Sequence, residues 1–346
     1  MESILFSLHI DDDLLTHGVR TQITLNYPHN NNLTIGKLHS QVFSDGEVCT
    51  DFMTSVRGKR VYILSSPNNS DKLIQLNMAI DAAKRAAAKE IIPIVPYFPY
   101  ARQDKKDQTR GPIGAKVVAE MIENRGATSI ITFDLHADQI QGFFNIPVTH
   151  MEGKFLFDTK INQLYFESGG NLVLCSPDAG GTKRVKGVRD RLRDKYDMDI
   201  PMVMIDKTRT KANEVDEMVL IGDVRGKDIV IVDDMADTCG TLIKASQNLL
   251  EKGAKSVRSI VTHGVLSGPA LDRLYEAIAD PKSPNTLNEF ICSDTLPLPN
   301  WNKCSNRRNG AVQPNEFITV ISTAGQIVKA IQAIDLNTSV EDLKKK

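Results

Sequence analysis

The sequence predicts an α/β protein of two doubly wound parallel-sheet domains, on three observations. Short, mostly apolar runs recur at Val61 to Ser65, Ile91 to Val95 and from Leu172, and Ile229 to Val232 is an unbroken β-branched run, as expected of strands buried on both faces of a parallel sheet. Stretches with apolar residues at helical spacing alternate with these runs, as a doubly wound sheet requires. The chain has 346 residues, 41% of them hydrophobic, more than one average domain and enough to fill two cores.

In chain order, Met1 to Asn32 is the least legible part: Ile4, Leu5 and Phe6 can open a strand, while Tyr27 to Asn32 is polar and turn-rich. Thr34 to Val42 precedes an acidic glycine turn at Val42 to Glu47, and Val61 to Ser65 reads as the next strand. Asp71 to Ala88 predicts a helix from Leu73, Leu76, Ala79, Ile80 and Ala83, and the Ile91 to Val95 strand follows. Pro96 to Pro112 then gathers Arg102, Lys105, Lys106 and Arg110 beside Tyr97, Phe98 and Tyr100. A charge run is commonly a solvated face, but the carboxyl end of a sheet strand is where ligands bind. Cations with aromatics there suit a nucleoside triphosphate, with Arg102 on phosphate and an aromatic ring against the purine.

Gly114 to Asn124 reads as a helix and Ser129 to Phe133 as a strand ending in Asp134, His136 and Asp138. A neutral His among carboxylates can ligate Mg²⁺ or brace a metal-bound water, although a lone His is more often a hydrogen-bonded structural residue. Leu172 to Gly181 is another aliphatic strand, ending in Asp178 and two glycines. After the Met202 to Ile205 strand, Ile205 to Glu214 carries Lys207, Arg209 and Lys211 with no apolar period, the pattern of a mobile loop or a solvated linker.

Ile229 to Val232 leads into a turn crowded with Asp233, Asp234 and Asp237, which such a turn cannot bury; Thr238, Cys239, Gly240 and Thr241 then open a helix through Leu242, Ala245, Leu249 and Leu250. Free amides and the positive end of a helix dipole suit a phosphate there, while the carboxylates suit sugar hydroxyls or hydrated Mg²⁺. A lone Asp-Asp pair is usually an ordinary acidic turn; the whole DDxxDTxGT order is much more specific and reads as a phosphorylated-sugar site. The last elements are a strand at Ser256 to Thr262 and a helix at Gly325 to Ile334. Between them, Asp280 to Asn315 reads as a surface insertion around a strand at Glu289 to Cys292, with Trp301, Lys303, Arg307 and Arg308.

The net charge of −1 gives no bulk attraction to nucleic acid or an anionic membrane. No apolar run approaches 20 residues, and Met1 to Val19 has no signal-peptide core, which predicts a cytoplasmic protein. Five scattered cysteines without a CxxC pair predict reduced thiols and no zinc site.

FSDGE, PYFPYARQDKK, DLHADQIQGFF, SPDAGGTKR, KANEVDEMVLIGDV and VDDMADTCGT occur in the order, and near the spacing, of the ribose-phosphate diphosphokinases, and the chain resembles that family from about Phe43 to Gly268. Phosphoribosyltransferases share only the last motif and are usually single domains. The resemblance implies domains of phosphoribosyltransferase-like type over 1–150 and 151–306, with 307–346 packing back on the first. It implies Mg²⁺-dependent transfer of a diphosphoryl group from ATP to the anomeric hydroxyl of ribose 5-phosphate. It assigns Asp45, Gly46, Glu47, Arg102 and Gln103 to ATP, and His136, Asp178 and Asp134 to Mg²⁺. Asp233, Asp237, Thr238, Cys239, Gly240, Thr241 and Arg209 fall to ribose 5-phosphate, and Lys207 and Arg209 to catalysis.

It further implies a homo-oligomer, a hexamer built from dimers, with inorganic phosphate as activator near Ser55, Arg57, Ser322 and Thr323. Cys239 stands where many members have Gly, and Asn145 and Thr149 where members commonly carry acids. The residues at 145 and 149 in place of acids, together with the extra loop over 280–315, keep open a catalytically silent regulatory subunit of the same family, while Cys239 is neutral.

Overall fold

The structure is a computed structural model and describes residues 1–8, 14–26, 33–208, 217–280, 285–298 and 317–340. They form two compact units, one of Met1–Glu152, Thr295–Pro297 and Ser322–Lys346, the other of Gly153–Asp294 and Leu298–Ile321.

In the first unit the chain forms β1 (Ser3–Ser7), α1 (Leu14–Asn26), β2 (Leu33–Ile35), β3 (Leu38–Val42), β4 (Val48–Phe52), β5 (Arg60–Leu64), α2 (Ser70–Arg85), β6 (Glu90–Val95), α3 (Gly114–Arg125), β7 (Ile130–Phe133), a 3₁₀ helix (Asp138–Phe143) and β8 (Val148–Met151). Six strands in the order β2-β1-β5-β6-β7-β8 make a sheet whose neighbours are all parallel, while β3 and β4 form a separate antiparallel pair. The mostly apolar runs follow from having cover on both faces. In β5, Val61 and Ile63 point into one buried cluster with Leu76 and Ile80 of α2 and Val118 of α3, while Tyr62 and Leu64 point into the other with Leu15 and Val19 of α1.

The second unit holds α4 (Lys154–Glu167), β9 (Leu172–Ser176), α5 (Thr182–Tyr196), β10 (Met202–Thr208), β11 (Glu217–Ile221), β12 (Asp228–Ala236), α6 (Gly240–Glu251), β13 (Ser256–Gly264), α7 (Ala270–Ile278), β14 (Glu289–Ser293) and β15 (Ile318–Ile321). Its sheet runs β11-β10-β9-β12-β13-β14-β15, parallel except for the antiparallel β10–β11 pair. Ile229 and Ile231 of β12 pack with Leu242 and Leu249 of α6, and Val230 and Val232 with Val185 of α5 and Ile161 of α4.

The last helix, α8 (Ala324–Asp335), belongs to the first unit. There Ile327 and Ile331 share a buried cluster with Leu15 and Val19 of α1. Asp335 at its end accepts hydrogen bonds from Ser3 Oγ at 2.8 Å, Arg60 Nη1 at 2.9 Å and Tyr62 Oη at 2.9 Å.

The strand expected at Glu289 to Cys292 within Asp280 to Asn315 is present, but it lies inside the sheet rather than in a surface insertion. Glu289–Ser293 is an interior strand paired on both sides, with Phe290 to Ser293 buried, because β15 covers the edge that β14 would otherwise expose. Trp301, Lys303, Arg307 and Arg308 lie outside the described residues, as do Tyr27 to Asn32. Among the described residues no helix is long and apolar enough to cross a membrane.

Candidate active site

The second sheet changes direction between β9 and β12: from β9 the chain builds outward through β10 and β11, and from β12 through β13, β14 and β15. Ligands of open α/β sheets bind outside the carboxyl ends of the strands at such a switch. Because Ile231 pairs with Cys175, the loops that leave β9 at Asp178 and β12 at Asp237 are neighbours there.

Strand β12 does not stop at Val232. It stays paired with β13 through Ala236 and Gly264, so Asp233 and Asp234 are strand residues rather than a solvated turn, and Asp234 is 3% exposed. Their burial is possible because Arg184 of α5 brings Nη1 within 3.9 Å of Asp233 Oδ1 and 3.7 Å of Asp234 Oδ1. The Asp234 amide also donates to Asp233 Oδ1 at 2.9 Å. Burial, then the adjacent Asp234 carboxylate, push Asp233 up to about 7 against the opposing pull of Arg184.

Beyond the strand the loop is held from outside. The Leu266 amide donates to Ala236 O and the Ser267 amide to Asp237 O, both at 3.1 Å; Ser267 Oγ donates to the Asp237 carboxylate, and Arg273 Nη1 to Thr238 O at 2.8 Å. Cys239 then takes a left-handed backbone, φ +59°, the conformation that glycine adopts without steric cost. Its side chain is buried among Leu242, Leu266 and Cys292, and burial pushes the thiol up to about 12. The turn starts α6 at Gly240 with no side chain capping it. The first amides of an α-helix lack acceptors within the helix, and with the dipole they favour an anion. A side chain at Gly240 would meet Arg273 Nη1 at 3.0 Å. Thr238 and Thr241 are exposed and Asp237 is half-buried.

Asp178 is fixed at the neighbouring loop: its Oδ1 accepts the Gly181 amide at 2.9 Å, and Ser176 Oγ donates to its carbonyl at 2.7 Å. Lys207 differs from expectation in its backbone, which lies in β10 opposite Met218 of β11 rather than in a loop beginning at Ile205. The antiparallel partner extends the strand through polar residues that carry no apolar period. The Lys207 side chain, Arg209 and Lys211 lie outside the described residues.

In the first unit, Asp45, Gly46 and Glu47 form the tip of the β3–β4 hairpin. Gly46 has φ +94°, its amide donates to Phe43 O at 2.9 Å, and the Glu47 amide donates to Asp45 Oδ1 at 3.0 Å. All three tip residues are exposed. Arg102 is exposed in the segment after β6, and Gln103 packs on the start of α3, where a Cβ at Gly114 would fall 2.6 Å from Gln103 Oε1. Of the three aromatics read there, Phe98 is not available to a purine: it is buried, edge-on to Phe144 at 5.7 Å. Tyr97 is half-buried and Tyr100 is 43% exposed.

The turn after β7 presents Asp134, buried and left-handed at φ +36°, and His136, exposed. Among the described residues no three His, Cys, Asp or Glu side chains converge as a metal cage. Asp134 with His136 in the first unit, and Asp178 in the second, each offer the one or two protein ligands that Mg²⁺ usually takes, with water and phosphate oxygens completing its shell. Ser55 and Arg57 are exposed on either side of buried Val56, whereas Ser322 is exposed and Thr323 buried at the start of α8.

Arg184, Arg273 and Ser267 join the site without having been singled out in the sequence. Arg184 ends the SPDAGGTKR motif and was within reach of sequence reasoning; Arg273 and Ser267 lie on a later segment with no local signal.

Residues 9–126 match the N-terminal domain of ribose phosphate pyrophosphokinase, and residues 148–284 match the phosphoribosyl transferase domain. A ribose-phosphate pyrophosphokinase of Porphyromonas gingivalis is 40% identical over 311 residues, 89% of this chain and 90% of that protein. The chain belongs to the ribose-phosphate pyrophosphokinase family. Ribose-phosphate pyrophosphokinase A of Dictyostelium discoideum is 43% identical over 287 residues, 82% of this chain and 85% of that one. The crystal structure of phosphoribosylpyrophosphate synthetase from Mycobacterium smegmatis superposes with a TM-score of 0.80 at 33% identity, over 97% of this chain and 100% of that one. As a pyrophosphokinase family member the chain is an enzyme, and the match at 9–126 sets it apart from a single-domain phosphoribosyltransferase.

Proposed function

We propose that the chain transfers the β,γ-diphosphoryl group of ATP to the C1 hydroxyl of ribose 5-phosphate, giving 5-phospho-α-D-ribose 1-diphosphate and AMP. The observation that carries this reading is the stretch from Asp233 to Thr241, where an uncapped helix start for an anion follows a carboxylate for sugar hydroxyls at the end of β12, at the switch point of the sheet. The 5-phosphate takes the amides from Gly240 onward and the Thr238 and Thr241 hydroxyls, and Asp233 accepts from the ribose hydroxyls. Asp45, Gly46, Glu47, Arg102 and Gln103 hold ATP, with Arg102 on phosphate.

The C1 oxygen attacks the β-phosphorus and its proton is lost; the bond from that phosphorus to the oxygen bridging the α-phosphate breaks, and AMP departs with the electron pair. Lys207 and Arg209 offset charge on the transferring group. His136 with Asp134 would hold one Mg²⁺ and Asp178 another, and the ions would supply charge neutralisation on the phosphate oxygens. A homo-oligomer built from dimers, activated by inorganic phosphate near Ser55, Arg57, Ser322 and Thr323, belongs to the same proposal.

Asn145 does not favour a silent subunit. Its side chain donates to Glu123 Oε1 at 3.0 Å and its backbone amide to Glu123 Oε2 at 2.9 Å, and an ionised acid at 145 could not make the first of these bonds. The anion-site reading is tested by calorimetry with ribose 5-phosphate against ribose: the phosphorylated sugar should bind at least about a hundredfold more tightly, a gap of about 2.7 kcal/mol. Equal affinities would remove the phosphate site from the loop.

A further inference from the structure

His150, near the end of β8, lies outside the DLHADQIQGFF motif, yet it touches the turn that carries Asp134 and His136. Strands β7 and β8 are parallel neighbours with Thr132 opposite His150 and Phe133 opposite Met151. Just past the end of β7, two successive amides turn toward β8. The Asp134 amide donates to Met151 O at 2.8 Å, and the Leu135 amide donates to His150 Nε2 at 3.0 Å.

The second contact fixes the chemistry of the ring. A backbone N–H can only donate, so Nε2 must offer its lone pair; the imidazole is then neutral, with its proton on Nδ1. No protonated imidazole and no Lys or Arg at this position could serve as the acceptor. Leu135 is 3% exposed, so its amide has little access to water in place of that nitrogen.

Backbone strain in the turn makes the anchor matter. Asp134 holds φ +36°, a left-handed conformation that is uncommon for a residue with a side chain, although Asp tolerates it better than most. Hydrogen bonds on two consecutive amides enforce it from one side. Asp134 is buried and His136 exposed on this same turn. Releasing the Leu135 amide would allow the backbone at Asp134 to relax, and both side chains would change direction together.

We propose that His150 is a positioning residue for the enzyme's Mg²⁺–nucleotide site: by accepting the Leu135 amide through a neutral Nε2, it sets the turn that presents Asp134 and His136. The inference rests on the reading of those two residues as the Mg²⁺ side of the site. Partners that orient metal-side ligands from behind typically change affinity or activity by about ten- to a hundredfold when removed.

The test compares His150→Ala, which removes the acceptor, with His150→Gln, whose Oε1 can reach the same amide, and with His136→Ala, all at one phosphate concentration. Hydrogen exchange by mass spectrometry over peptides covering Leu135 reads the anchor itself, and uptake of Mn²⁺ with ATP by electron paramagnetic resonance reads the site without turnover. The half-saturating MgATP concentration and kcat are measured alongside. Expected for His150→Ala is Leu135 exchange at least about tenfold faster, Mn²⁺–ATP binding and half-saturating MgATP weakened by about ten- to a hundredfold, and the ribose 5-phosphate KM within about twofold, with His150→Gln largely restoring all of these.

If His150→Ala leaves exchange and metal–nucleotide binding as in the wild type, the inference is wrong while the metal reading stands. Equal losses in His150→Ala and His150→Gln, accompanied by a lowered unfolding temperature, would make the residue merely structural and also overturn it. Should His136→Ala bind Mn²⁺ with ATP like the wild type, the metal reading itself fails and the inference falls with it.

Discussion

Replacing Asp335 with Ala removes the carboxylate that fastens α8 to the first sheet, and the structure allows the cost to be worked out. One oxygen accepts from Ser3 Oγ, Arg60 Nη1 and Tyr62 Oη, and the Arg60 and Asp335 side chains are 10% and 11% exposed. Burial disfavours the Arg60 cation, and its hydrogen bonds to Glu90 and Asp335 more than offset that, leaving it above its ordinary value. Breaking a buried pair from one side typically costs about 3–5 kcal/mol. The lower end applies here because Glu90 Oε2 remains 2.6 Å from Arg60 Nε and the Ile334 carbonyl 3.1 Å from Nη1. About 3 kcal/mol lowers the melting temperature of a unit of this size by roughly 6–12 °C. Scanning calorimetry reads the shift, and Asp335→Asn, which keeps an acceptor but not the charge, should lose about half as much. A shift of under about 2 °C for the Ala variant would refute the reasoning, since it would mean that the docking of α8 does not use this carboxylate.

Lys207→Ala is expected to lower kcat by at least about a hundredfold with ribose 5-phosphate binding little changed; steady-state kinetics with calorimetry decides, and a near-wild-type kcat removes the residue from the reaction. Asp233 moves from an ordinary 3.8 to about 7 on folding, so the native chain holds a proton that the unfolded chain has lost in between. That contribution to stability is present below 3.8 and lost as pH rises through about 7, and Asp233→Asn should flatten this part of a urea-midpoint profile; parallel profiles would contradict the assignment. Burial pushes the thiols of Cys175, Cys239 and Cys292 up to about 12, so at pH 8 each should react with a disulfide reagent about a thousandfold more slowly than an ordinary thiol until denaturant is added.

The parts of the fold that the sequence made legible are those governed by one local rule. Ile91 to Val95 and Ile229 to Val232 are apolar at every position because helices cover both faces of their sheets, so these strands show without any partner in view. Asp233 and Asp234 resisted because their place in β12 depends on Arg184, from another element, and on continued pairing with β13. Strand β10 runs on through Lys207 and Thr208 because β11 pairs with it, a cause that no window around Ile205 contains. Glu289–Ser293 looked like part of an insertion because the chain that covers its edge, β15, comes more than twenty residues later. The site shows the same division. The stretch from Asp233 to Thr241 was readable as a continuous motif, whereas Arg273, which holds the Thr238 carbonyl, and His150, which accepts the Leu135 amide, act from distant segments.

The central claim is the reaction itself. Purified protein incubated with ATP, ribose 5-phosphate, Mg²⁺ and inorganic phosphate, followed by phosphorus NMR, should show AMP and a diphosphate attached at C1 of the phosphorylated sugar rising together, with neither formed when ribose 5-phosphate is omitted. ATP persisting unchanged with and without phosphate would contradict the account and leave the silent regulatory subunit as the reading of this chain.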